Sequence, residues 1–285
     1  MRRVRQHIEL KTPEQFASMR AAGLIVARGL AAMTAAVAPG VTTLDLDEIG
    51  RQVIADAGAR SNFLHYDIGN GPYPGVICAS VNDEVVHGIP SSETVLHEGD
   101  IISIDYGAIV NGWHGDAAVT VAVGQTSREA QALSEACRKA LWDGLAAAAT
   151  GVRLSDISHA VEESIVASGG SSPSGPYGIV RGYGGHGIGT QMHMNPNVLN
   201  YGRAGQGPKL VPGMALAIEP MIMLGAERVA ELDDGWTIAT ADGSWAAHWE
   251  HTIALYDDGP WVLTAEDGGR AELAARGITL SAAAG

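Results

Sequence analysis

The sequence predicts an α+β fold of two similar halves around one antiparallel sheet. Three observations lead there. The chain runs through two helices and then strands, and does so twice. Asn111-Gly112, set between two β-rich runs, marks a two-residue antiparallel hairpin. The composition suits a buried core: 285 residues, 46% hydrophobic and 18% charged, with 37 glycines for tight turns. No linker separates the halves, so a single domain over 1–285 is expected, with halves near 12–124 and 126–264. No residue-level repeat relates them.

Thr12-Pro13-Glu14-Gln15 starts the first helix, with Thr as N-cap, Pro at N1 and Gln at N3 to close a capping box. Phe16, Met19, Val26, Leu30, Met33 and Val37 form one apolar face, and Pro39-Gly40 stops the helix. A second helix begins near Thr43, carries Asp45, Asp47 and Glu48 in its first turn, buries Leu46, Ile49 and Val53, and ends at Gly58. Strands follow at 76–81, 101–110 and 113–123. Two more helices are expected at 128–149 and 155–167, then strands near Ile179 and at 214–224, 236–241 and 246–256. Asp242-Gly243 is a second hairpin signal. The Ala- and Gly-rich residues from Glu266 onward are expected to fray.

Charge and cysteines narrow the function classes. The net charge is −14, from 18 Lys plus Arg against 32 Asp plus Glu, which disfavours nucleic acid and anionic membranes as partners. Met1-Arg2-Arg3-Val4-Arg5 is basic, but Glu9 and Lys11 stand where an export signal needs apolar residues. The long uncharged stretches are broken by Pro, Gly, Asn or His and do not read as membrane spans. Cys78 and Cys137 exclude a disulfide framework. A cytoplasmic protein with free thiols is expected.

The first hairpin carries the chemistry. A two-residue turn at 111–112 pairs Val110 with Trp113, so Asp105 falls opposite Ala118 and Asp116 opposite Gly107. Asp105 and Asp116 are then diagonal neighbours on one face, and Gly107 leaves open volume beside them. Two carboxylates among Ile-Ile-Ser-Ile and Tyr-Gly repel one another and lose hydration, which a bound cation remedies. Glu219 and Glu250 are acids inside apolar strands of the second half, and alternation sends Glu250 and His251 to opposite faces. His186 sits in Gly184-Gly185-His186-Gly187-Ile188-Gly189, where the spacing fits no phosphate-binding fingerprint. Four carboxylates and one imidazole balance two divalent ions, and this ligand chemistry admits Co, Mn, Fe or Zn. Two close metals share bridging carboxylates and a water that deprotonates near neutral pH.

The segment Ala79-Ser80-Val81-Asn82-Asp83-Glu84-Val85-Val86-His87-Gly88-Ile89-Pro90 adds His87 to this pattern. With Ser103-Ile104-Asp105, Gly115-Asp116, Gly185-His186-Gly187-Ile188-Gly189, Ala217-Ile218-Glu219-Pro220-Met221 and Trp249-Glu250-His251-Thr252, the chain from about 12 to 264 resembles the type I methionine aminopeptidases of pita-bread fold. The resemblance implies that Asp105, Asp116, His186, Glu219 and Glu250 hold two divalent metals, with Asp116 and Glu250 bridging. It implies that Glu219 handles the proton of the attacking water. His193 would bond the scissile carbonyl or its oxyanion, and His87 would contact the scissile amide. Tyr73, Cys78 and Trp236 would wall the methionine pocket.

The implied activity is removal of the initiator methionine from nascent polypeptides whose second residue is small, by a monomer that meets the ribosome at most transiently. The loop Asp67-Ile68-Gly69-Asn70-Gly71-Pro72 is longer than the resemblance leads one to expect, and Phe63 and Met192 also depart from it; all bear on the pocket. No long N-terminal extension is expected. A proline-directed peptidase of the same fold is the alternative, and such enzymes carry a preceding domain. A metal-free binding protein is a further alternative, against which all five ligand positions are filled.

Overall fold

Helix α1 (Pro13–Ala36) begins as its sequence dictates: Thr12 accepts from the Gln15 N–H while the Gln15 side chain accepts from the Thr12 N–H. Such a cap is worth about 1 kcal/mol. Helix α2 (Thr43–Asp56) has a second capping box, formed by Thr42 and Asp45. The computed structural model describes residues 7–169 and 177–284; the basic Met1–Arg5 run lies outside the described residues.

Strands β1 (Arg60–Ser61), β2 (Ile77–Val81), β3 (Glu84–Val86), β4 (Ile101–Val110) and β5 (Trp113–Ala122) complete the first half. The second half holds helices α3 (Arg128–Thr150) and α4 (Leu154–Ala167). Its strands are β6 (Gly178–Ile179), β7 (Gly185–Gly187), β8 (Met194–Val198), β9 (Ala215–Ile218), β10 (Met221–Met223), β11 (Val229–Glu231), β12 (Ile238–Thr240), β13 (Ala246–His248), β14 (Glu250–Tyr256) and β15 (Gly259–Val262). A short helix α5 (Arg270–Ala274) follows.

The main antiparallel sheet runs β1-β4-β5-β14-β9-β7-β8, with β2 also on β4 and β15 also on β14. The β4–β5 register is the expected one: Val110 faces Trp113, Asp105 faces Ala118 and Gly107 faces Asp116. Asn111 and Gly112 have φ of 51° and 82°, as a type I′ turn requires.

Each half has its own core. Ile25, Val26, Leu30 and Met33 of α1 bury Ile102, Ile104 and Tyr106 of β4. Helices α3 and α4 cover Leu216, Ile218, Ile253 and Leu255 of the second half. Among the described residues α1 alone is long and apolar enough to cross a membrane, and half of it is buried inside the protein. Gly29 in α1 lies against the Tyr106 ring, whose hydroxyl donates to the Gly50 carbonyl of α2 at 2.7 Å. The even-numbered side chains of β4 thus face the helices, and Asp105 faces the other way.

Several expectations change. Residues 214–224 form two strands, because Pro220 after Glu219 cannot donate to a ladder. The expected 246–256 strand also divides, at Trp249. Asp242-Gly243 makes no hairpin: β12 joins β3 and β11 while β13 joins β10, in separate sheets. Asp47, in the first turn of α2 as expected, is fully buried there, where it accepts from the Val76 and Ile77 N–H groups and pairs with Arg51 at 2.6 Å. Ile49 and Val53 are only half-buried.

The residues after Glu266 are anchored rather than frayed. Leu273 is fully buried, and Arg276 pairs with Asp143 and Glu272, each at 2.7 Å. Arg20 of α1 donates to the carbonyls of Leu263, Ala265 and Glu266. A few apolar and charged anchors outweigh the Ala- and Gly-rich composition.

Candidate metal centre

Sheet register alone brings the acids together. Ala118 on β5 faces Asp105 of β4 on one side and Glu250 of β14 on the other. Asp116 lies two residues along β5, on the same face. On β14, His251 pairs with Ile218 and Thr252 with Ala217 of β9, and Ala217 pairs in turn with His186 of β7. Alternation then turns Glu250, Glu219 and His186 to the face that carries Asp105 and Asp116. Five side chains from neighbouring stretches of one sheet therefore converge.

They line one cleft of about 850 Å³, together with Tyr73, Cys78, His87, His193 and Trp236. Every site residue expected from the sequence is in that cleft. Ligand atoms of Asp116, His186 and Glu250 lie within 4.8 Å of one another. His186 Nε2 is 3.4 Å from Glu219 Oε1.

The sequence near His186 is shaped for close approach. A Cβ at Gly185 would collide with the Ala217 carbonyl, and one at Gly187 with the Asn195 carbonyl. His186 Nδ1 lies 3.0 Å from the Gly187 carbonyl, which can only accept, so Nε2 is left with its lone pair facing the acids. His87 takes the left-handed backbone at φ 63°, a strain of about 1–3 kcal/mol of the kind found at functional sites.

The electrostatics call for a cation. Burial, then the neighbouring Asp116 and Glu219, raises Asp105 well above the carboxylate range. Burial, then the other three acids, does the same to Glu250. Burial lifts Asp116 to about 7; burial, with Asp116 beside it, lifts Glu219 to about 8. Asp105 Oδ1, Asp116 Oδ1 and Glu250 Oε1 are buried without a hydrogen-bond partner. Orphaned carboxylate oxygens beside a neutral imidazole nitrogen are the donor set that a divalent ion satisfies. The residues present fit such an ion.

The pocket beside the acids is a distinct apolar cluster of Phe63, Tyr73, Cys78, Met192 and Trp236. The Tyr73 and Trp236 rings meet edge-on at 5.2 Å. Phe63 and Met192, the two departures noted above, are part of that wall. The long 67–72 loop is tied to it, with the Asn70 amide donating to the Gly235 carbonyl at 2.6 Å.

Sequence reasoning missed three residues. Tyr66 Oη lies 2.9 Å from His193 Nδ1, and no periodic signal marks it because it sits in a loop. Asn62 fills the space at Gly107 that was expected to be open, and its amide donates to the Gly115 carbonyl at 3.1 Å. His248 also lines the cleft. It precedes Glu250 by two residues, so strand alternation could have found it.

Residues 17–257 match the family model for metallopeptidase family M24. The methionine aminopeptidase 1 of Mycobacterium tuberculosis is 52% identical over 265 residues, covering 92% of this chain and 97% of its own. The Clostridium acetobutylicum methionine aminopeptidase is 48% identical over 257 residues, covering 90% and 98%. The crystal structure of the Thermotoga maritima methionine aminopeptidase superposes with a TM-score of 0.85 at 39% identity, covering 91% of this chain and all of that one. With the pita-bread sheet and the acid-lined cleft already in place, these matches show that the chain belongs to metallopeptidase family M24, among the methionine aminopeptidases.

Proposed function

We propose that this chain removes the initiator methionine from nascent polypeptides whose second residue is small, with two divalent ions held by Asp105, Asp116, His186, Glu219 and Glu250. The observation that carries the reading is the juxtaposition of the acid cluster with an apolar wall inside one cleft. When bound, the ions supply Lewis acidity that makes water a nucleophile at neutral pH.

The chain's own residues account for the rest. Tyr73, Cys78, Trp236, Phe63 and Met192 enclose an unbranched, polarizable side chain and exclude water from it. Burial and a nearby His193 push His87 down to about 4, and burial also lowers His193, so both rings are neutral at pH 7. Neutral imidazoles can donate one N–H each to the substrate. If the Tyr66 hydroxyl donates to His193 Nδ1, the proton of that ring is on Nε2, where it can meet a developing oxyanion. His87 contacts the scissile amide. Glu219, ionised once a cation offsets the repulsion of its neighbours, would be suited to receive a proton from water and pass it to the leaving amine. Asp116 and Glu250, whose ligand atoms lie close together, would help hold the ions.

Co, Mn, Fe and Zn all suit this donor set. The reading includes a cytoplasmic monomer that acts on chain N-termini as they leave the ribosome, without nucleic-acid or membrane contacts. Release of free methionine from Met-Ala and Met-Lys peptides, with and without chelator, tests it. Fast, chelator-sensitive release from Met-Ala alone is expected; equal rates for both peptides would overturn the substrate assignment.

A further inference from the structure

We infer that His248 is a positioning residue for Glu219, holding one carboxylate oxygen so that the other faces the metal beside His186. This rests on the ligand set proposed above. His248 is 2% exposed, and its Nε2 is buried with no hydrogen-bond partner. That nitrogen lies 3.7 Å from Glu219 Oε2, whereas Glu219 Oε1 lies 3.4 Å from His186 Nε2. The carboxylate is thus bracketed by two imidazoles, one at each oxygen.

The two rings are not equivalent. His186 is committed through Nδ1 to a main-chain carbonyl, leaving Nε2 with its lone pair, and its ring belongs to the close ligand cluster with Asp116 and Glu250. His248 does not belong to that cluster and reaches only the outer oxygen of Glu219. An ionised, buried carboxylate that gives one oxygen to a cation needs a donor for the other. His248 Nε2–H is placed to donate, and a small turn of the carboxylate brings 3.7 Å into bonding range.

The ring is aimed by a rigid clamp rather than by its own strand alone. The His248 N–H donates to Thr120 Oγ1 at 2.9 Å, and Thr120 Oγ1 donates back to the His248 carbonyl at 2.8 Å. Thr120 is itself 2.9 Å from the Ser103 hydroxyl, so the clamp reaches across β5 to β4. A histidine there only to fill the core would not leave a ring nitrogen unpartnered beside a carboxylate.

The test compares His248→Leu, which keeps bulk and loses the donor, with His248→Gln, which keeps an N–H donor. Metal-stripped proteins are titrated with Co2+ or Mn2+ by calorimetry, the Co2+-loaded absorption spectrum is recorded, and kcat and KM are measured on a Met-Ala peptide. His248→Leu is expected to weaken metal affinity by about 10–100-fold. It should lower kcat with KM within about twofold, keep the metal stoichiometry, and shift the Co2+ spectrum. His248→Gln should recover most of the affinity and of kcat. Should His248→Leu fail to fold, the glutamine variant decides: parental affinity and spectrum support the inference, and loss of both overturns it. Parental affinity in a folded His248→Leu would show a space-filling histidine. Loss of a whole metal equivalent in both variants would make His248 a ligand. Either result overturns the positioning role. Failure of the parent itself to bind divalent metal would instead strike the ligand set.

Discussion

Tyr66 meets His193 across 127 residues of chain, its phenol oxygen 2.9 Å from Nδ1. The contact holds the ring in place and suits the tautomer that donates from Nε2. The rings also touch edge-on at 5.5 Å. Tyr66→Phe keeps the ring packing and loses the hydroxyl. It is expected to lower kcat about tenfold, the equivalent of one hydrogen bond to a group that acts in the transition state, with little change in KM. Steady-state kinetics on a Met-Ala peptide checks this; a rise in KM alone would place His193 in ground-state binding.

His186→Ala and Glu250→Gln should lose metal and activity together, activity by more than about 100-fold. Folding stability in the metal-free state should fall much less, because Glu250 is one of four clustered acids that repel one another there. Metal content by mass spectrometry, read beside a urea melt, distinguishes the outcomes. Full metal retention with lost activity would remove both residues from the ligand set.

Metal-free protein should lose stability as pH rises from about 6.5 to about 8. Asp116 and Glu219 sit near 7 and 8 when folded, so the native state holds protons that the unfolded chain has released. Their stabilising share is present at low pH and disappears as pH climbs through those values. Buried His186 and His248, pushed down to about 3, act in the opposite sense, but only below the unfolded histidine value of about 6.5. Saturating metal should abolish the decline, since it binds the ionised form. Denaturant midpoints measured across this range, with chelator and with metal, show whether the slope has the expected sign.

Cys78 and Cys137 are both free and buried. Burial, with Asp105 as a second cause, raises the Cys78 thiol, and burial raises Cys137. Native protein should therefore react slowly with a thiol reagent, and unreduced, denatured protein should release two equivalents. Finding none would contradict a cytoplasmic origin.

The pocket wall predicts a graded first-position preference. Norleucine should still react, while leucine and alanine lag, a missing methylene costing about 1–3 kcal/mol. Trp236→Ala removes one of the two rings that meet edge-on and should raise KM for methionine peptides far more than it changes the metal content. A peptide series varied at the first position, run on both proteins, tests the assignment of this wall.

What was legible in the sequence was local. The Thr12–Gln15 box and the Asn111-Gly112 turn act within a few residues, so the first helix and the β4–β5 register could be read directly. Asp105 and Asp116 followed from that register. Glu219, Glu250 and His186 reach the same site by pairing β14 with β5 and β9, and β9 with β7, contacts that no local pattern specifies. They stood out as acids inside apolar strands and a histidine among glycines, the resemblance gave them roles, and the register explains their meeting. The Asp242-Gly243 signal failed because turn chemistry bends the chain without deciding which strands pair next. The C-terminal segment was misjudged because three side chains, Leu273, Arg276 and Glu272, anchor a stretch whose composition reads as loose.

Strand β14, one of the last to be made, is the middle of the main sheet, between β5 of the first half and β9 of the second. A polypeptide ending before Glu250 would leave β5 and β9 as raw edges, each offering unpaired main-chain groups to any passing strand. It would also lack Glu250, one of the two carboxylates that face Ala118. Synthesis therefore imposes an order: closing the sheet and completing the acid cluster are one event, withheld until nearly the whole chain has emerged. A fragment ending short of β14 would therefore carry two open sheet edges and lack Glu250 at the same time.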